Sequence, residues 1–295
     1  MLEKYLSIIK DGYSGYWDYL TDAVSSPSFY NYFYYLIVVS LAVFILEVVF
    51  PWRRDQDALR KSFWLDGFYM FFNFFLFSLI GFNALSNVGV VFFGDILALV
   101  GFENQVALHL ESFPLWVRIL VLFVLADFIQ WSVHLLLHRI SWMWEFHKVH
   151  HSVTEMGFSA HLRFHWMESV FYKTALFLPL TMIGFGLSDL FLLHAFNILI
   201  GHLNHANFRV DYGPLKYIFN SPRMHIWHHA KELPKKHSRG VNFGISLSVW
   251  DYIFGTAHMP TSGKNLKLGF EGDENYPKNF LDQSLQPFKS KKADD

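Results

Sequence analysis

The chain has 295 residues, of which 53% are hydrophobic, 19% aromatic and only 17% charged. That is well under the roughly 25% charge of an average soluble domain, so a bilayer is the expected solvent. A net charge of −1 gives no broad attraction to nucleic acid, and the lack of cysteine excludes disulfides, thiolate zinc and iron–sulfur clusters.

The first 28 residues show no basic start followed by an apolar run, so no cleavable signal peptide is expected. Three apolar segments follow, Phe29 to Phe50, Phe63 to Leu85 and Leu115 to Leu137, each near the roughly 20 residues that a helix needs to cross hydrocarbon. Glu47, Asp66, Arg118 and Asp127 interrupt them and are expected at interfaces or buried in protein. The connector PWRRDQDALRK carries Arg53, Arg54, Arg60 and Lys61, which the positive-inside rule places in the cytoplasm. Residues 86 to 114, broken by Gly89, Gly94, Gly101 and Pro114, read as short interfacial helices. Val170 to Ile183 and Leu187 to Ile200, separated by Gly184 and Gly186, read as a hairpin that either spans or dips partway. The predicted fold is all-α, with about four to five membrane helices and a cytoplasmic histidine-rich helical cap. Residues 1–114 form N-terminal membrane and interfacial segments, 115–260 a histidine-rich region, and 261–295 a polar C-terminal tail.

None of the 16 histidines lies in the first 108 residues, and ten fall into four tight groups. These are His134 and His138 in HLLLH, His147, His150 and His151 in HKVHH, His202 and His205 in HLNH, and His225, His228 and His229 in HIWHH. Positions three and four apart share a helix face, and neutral imidazole is the commonest metal ligand, so all ten are candidate metal ligands. One ion takes at most about four such ligands in a structural site, so two ions are expected. Imidazole suits iron, zinc, copper and nickel alike. Crossing back and forth from the basic connector brings all four groups to one membrane face, where few hydrolysable bonds exist and C–H bonds call for activated oxygen.

The motifs HLLLHR, FHKVHHS, SPRMHIWHHA and NFGISLSVWDYIFGT, over roughly Ala126 to Thr256, resemble the sterol desaturase and fatty acid hydroxylase superfamily. His134, His138, His147, His150, His151, His225, His228 and His229 match its metal-binding boxes, and His202 and His205 stand in place of its more variable middle box. The family's HHS reads HHA at Ala230. The resemblance implies an integral-membrane enzyme with two iron ions that uses dioxygen to hydroxylate or desaturate a lipid. No flavin, haem or iron–sulfur motif is present, so electrons are expected from an external reductase with a ferredoxin or cytochrome, or from a pterin as in some relatives. A pterin-dependent ether-lipid monooxygenase and a non-redox metal-binding protein or transporter are the alternatives.

The remaining polar residues have plainer readings. His161 and His165 are expected to support or pack beside the ligands, and His194 to be a core histidine. His109, His237 and His258 read as surface residues, and KSKKADD as a solvated tail. Glu145, Glu155, Glu168 and Asp251 are the carboxylates available to hold imidazole rings from outside, and Asp127 reads as a buried structural partner.

Overall fold

The computed structural model describes residues 2–28, 31–99, 101, 110–185 and 187–289; Gly186, His109 and the tail from residue 290 lie outside the described residues. Among the described residues the fold is helical, with three isolated bridge pairs and no strand. Helix α1 (Leu2–Ser25) precedes α2 (Tyr32–Val49) and α3 (Phe63–Phe71). The last continues through π-helical turns over Phe72–Leu76 and Ser78–Phe82 into α4 (Asn83–Leu99). Wide turns free backbone carbonyls, and α1 takes them up: Tyr13 Oη donates to Ile80 O at 2.7 Å and Tyr16 Oη to Phe75 O at 3.3 Å.

Three segments, Tyr32–Val49, Phe63–Gly81 and Leu115–Arg139, are long and apolar enough to cross a bilayer. Their outward faces are as apolar as their inward ones. On α2, Leu36, Val39 and Val43 are buried while Val38, Leu41 and Ile45 are exposed, and on α5 (Leu115–Arg139) Leu122 and Ala126 are buried while Trp116 and Leu120 are exposed. A helix apolar on all sides needs hydrocarbon around it.

The ionisable residues in these segments are spent inside the protein. Glu47 accepts the backbone N–H groups of Phe158 and Asn207, and Arg118 pairs with Asp189 at 2.6 Å. Asp66 pairs with Arg60 and Arg163, all three side chains being at most 3% exposed. Helices α7 (Trp166–Ile183) and α8 (Leu187–His205), expected as a hairpin, each pack against α5 more than against each other, and their composition does not put them among the spanning helices.

Two expectations are corrected here. Residues 83–99 form one helix of 17 residues against α1 instead of short pieces, because Gly89 and Gly94 fall where a helix tolerates them. Residues 261–289 fold back onto the body: Leu268 is buried, Tyr69 Oη donates to Gln283 Oε1 at 2.8 Å, and α11 (Phe280–Leu285) packs Phe280 against Phe72. The short helices α6 (Ser141–His151), α9 (Pro222–His228) and α10 (Val249–Ile253) complete the end of the bundle that carries the histidines. The basic connector lies at that same end, with Trp52 N donating to Asn207 O at 3.0 Å.

Candidate metal centre

The last turns of α5 and α8, all of α6, and α9 with the residue after it converge. His134, His138, His147, His151 and His228 form one group, and His150, His205, His225 and His229 a second; within each, one ring nitrogen per residue lies within 4.8 Å of every other. His202 belongs to neither, although it was expected with His205. Three residues apart on α8, the two rings diverge, and His202 instead meets Ser40 Oγ at 3.0 Å and His161 at 2.9 Å.

The hydrogen bonds settle which nitrogen points inward. Nδ1 of His134, His150, His205 and His228 donates to the carbonyls of Phe243, Arg163, Gly201 and Val241, at 2.7 to 3.0 Å. Their Nε2 atoms therefore carry lone pairs. Yet His150 Nε2 faces His205 Nε2 at 3.2 Å, and His225 Nε2 lies 2.9 Å from His205 Nε2 and 3.2 Å from His229 Nε2. For His150 and His205, whose Nδ1 protons are committed to carbonyls, two lone pairs at that range repel unless a cation lies between them. Two nitrogens bound to one ion at roughly 2.1 Å and near right angles stand about 3 Å apart, so these residues fit a metal ion. In the first group the Nε2 atoms of His151 and His228 lie 3.0 Å apart, and His138 and His147 each aim a buried, unpartnered Nε2 inward. Burial keeps His147, His151, His225, His228 and His229 far below the usual imidazole range and His150 at about 3, which leaves neutral, ligand-ready rings.

A shell of buried polar residues holds the rings. Of the four carboxylates considered, Glu168 touches a ligand ring directly, accepting from His147 Nδ1 at 2.7 Å. Asp251 acts through the backbone: it accepts from Phe243 N and Gly244 N, while Asp127 accepts from Ser246 N and the Trp250 indole. Asn242 adopts φ 55°, a left-handed turn that asparagine tolerates, and so presents the carbonyls on either side of it to His228 and His134. Glu168→Gln is expected to weaken metal binding about 10- to 100-fold without unfolding the chain; competition against a chelator of known affinity measures it.

His161 packs its ring 5.3 Å from that of His205, and a Cβ at Gly201 would overlap it. The rings of His237 and His258 lie 4.7 Å apart and tilted at 41° to each other, and neither residue belongs to either group. His165 is fully satisfied as the neutral ring: Nδ1 accepts from Met167 N and Nε2 donates to Ser284 O, with burial holding it at about 4. Such a group binds fewer protons folded than unfolded. Its effect is nil above about pH 6.5 and destabilising as pH falls toward the folded value. The metal-free protein is thus expected to lose thermal stability progressively from about pH 6.5 to 4; a flat melting profile over that range would contradict it.

Two openings reach the histidines. A polar cleft of about 1,020 Å³, lined by Arg139, Lys148 and Glu271 among others, reaches down to His138, His151 and His228. A smaller cavity of about 210 Å³ runs between α5, α7 and α8 and is walled by His134, His147, His150, His205 and His225.

Residues 119–256 match the fatty acid hydroxylase family. The chain is 33% identical over 181 residues to ornithine lipid hydroxylase OlsE of Rhizobium tropici, covering 61% of this chain and 53% of that protein. It is 30% identical over 139 residues to alkylglycerol monooxygenase of Homo sapiens, covering 45% and 29%, and 26% identical over 162 residues to that of Caenorhabditis elegans, covering 54% and 30%. It thus spans about half the length of the first relative and under a third of the others. No solved structure gives a significant match. With its histidine motifs gathered in order at one end of apolar helices, the region 119–256, just under half of the chain, matches the fatty acid hydroxylase family, and these likenesses support the sterol desaturase and fatty acid hydroxylase superfamily.

Proposed function

We propose that this chain is a membrane oxygenase that hydroxylates or desaturates a lipid, with one iron ion in each histidine group. The observation that carries this reading is the pair of buried imidazole groups set side by side on the wall of a cavity inside the bundle. When bound, the irons supply the oxidising power, drawn from dioxygen, that breaks an unactivated C–H bond. The chain does the rest. Nine imidazoles hold the ions, carbonyls and Glu168 fix their rings, and Leu176, Ile198 and Ile245 keep water from the reacting carbon and aim it. The relatives act on ornithine lipids and alkylglycerols by name, which supports a lipid substrate.

The basic connector at the histidine-bearing end puts that end in the cytoplasm by the positive-inside rule. The polar cleft, opening on His138, His151 and His228, is then the side from which an external donor, a ferredoxin- or cytochrome-linked reductase, delivers electrons. The test is lipid mass spectrometry of a host with and without the chain, joined to metal analysis of the purified protein. A lipid gaining one oxygen or losing two hydrogens, with two irons per chain, is expected. A single zinc that resists chelation and an unchanged lipid profile would end the reading.

A further inference from the structure

The cavity beside the histidines is mostly apolar, but it carries a set of polar side chains that a hydrocarbon chain does not require. Gln130, Tyr172, Lys173, His194 and Asn197 line it in a belt set back from the metal groups. Gln130 precedes His134 by four residues on α5 and Asn197 precedes His205 by eight on α8, about 6 and 12 Å along the helices at 1.5 Å per residue. Tyr172 and Lys173 stand little more than a turn beyond Glu168 on α7. His194 is exposed on the lining, its ring 5.2 Å from Tyr32 and 5.8 Å from Phe74, so the belt reaches the outer surface there.

The belt has one demand the protein leaves unmet. Gln130 Nε2 donates to the Ala126 carbonyl at 3.2 Å, which turns its Oε1 toward α8, where Asn197 Nδ2 donates to it at 3.0 Å. A backbone carbonyl cannot donate, so both amide orientations are fixed, and Asn197 Oδ1 is left buried with no partner. An unsatisfied buried acceptor costs about 1–3 kcal/mol. Bare hydrocarbon in the cavity cannot relieve it. A hydroxyl or amide N–H that donates to Asn197 Oδ1 can. Volume adds a second constraint: 210 Å³ is below the roughly 300–1,000 Å³ of a pocket that encloses a whole ligand, so only a segment of a lipid enters.

We infer that the belt of Gln130, Lys173, His194 and Asn197 binds a hydroxyl or amide of the lipid, so that the oxidised carbon lies a few bonds from that polar group and far from the methyl end of a chain. This rests on the oxygenase reading above.

The test compares wild type with Asn197→Leu and Lys173→Met, using fragmentation to locate the new oxygen or double bond in the lipid. Wild type is expected to react near the headgroup. Each variant should lose about tenfold in yield, the worth of one hydrogen bond at its upper range, and scatter the position, with iron content unchanged. Reaction near the methyl end, or variants with wild-type yield and position, would overturn the inference. Binding to metal-free protein is the second arm: 1-dodecanol should raise the melting temperature more than dodecane does, and Asn197→Leu should erase the difference. Equal shifts in wild type would overturn it even if the variants misfold. Absence of any modified lipid from wild type would instead fail the oxygenase reading, leaving the dodecanol comparison to decide the belt.

Discussion

Replacing His225 with alanine is expected to give a folded chain that retains about one iron instead of two and makes no modified lipid. Its Nε2 lies 2.9 Å from that of His205 and 3.2 Å from that of His229, so it meets two neighbours in the second group. Its own Nδ1 has no protein partner, and its loss removes a ligand without uncovering a carbonyl. His228→Ala is the counterpart in the first group. There the lost ring also abandons the Val241 carbonyl, so a drop in melting temperature is expected beside the loss of metal. Iron per chain, helicity and product measured on the same preparations check this. Full activity in both variants would refute the ligand assignment.

Asp66→Asn is expected to be the most destabilising single change. The carboxylate faces two guanidiniums, those of Arg60 and Arg163, with all three side chains almost wholly buried. Removing one partner of a buried ionic cluster typically costs about 3–5 kcal/mol, since the charges left behind are unpaired and dry. The damage reaches the metal centre along the backbone. Arg163 donates to Ser152 Oγ at 2.8 Å, just past HKVHH, and its carbonyl accepts from His150 Nδ1 at 3.0 Å. Low yield, a lowered melting temperature in detergent and weaker retention of the second-group metal are the expected results. Lys61→Ala provides the contrast, because that side chain is 87% exposed and its contact with Glu155 is 3.8 Å. It should stay within about 0.5 kcal/mol of wild type. Equal melting temperatures for the two variants would show that the buried cluster contributes nothing.

The apolar runs of α2, α3 and α5 were legible in the sequence because hydrocarbon imposes its thickness on composition, whatever the neighbours are. The helix α1 was not, since its alternation of Lys, Asp, Tyr and Trp becomes meaningful only against the carbonyls freed in the segment after α3. The histidine motifs could be read one by one for the same local reason. Residues four apart share a helix face, and the pairs His134 and His138, His147 and His151, and His225 and His229 each stay within one group. What spacing does not encode is which pair meets which. HKVHH gives His150 to one group and its two neighbours to the other, and HIWHH likewise parts His228 from His225 and His229. The crossing of α8 over α9 admits His205 and turns His202 toward Ser40, while the choice of Glu168 among four carboxylates depends on where α7 begins beside α6. Local chemistry, fixed by helix periodicity and apolar content, was therefore written in the chain. The partition into two sites came only from packing, because it depends on how separate helices cross.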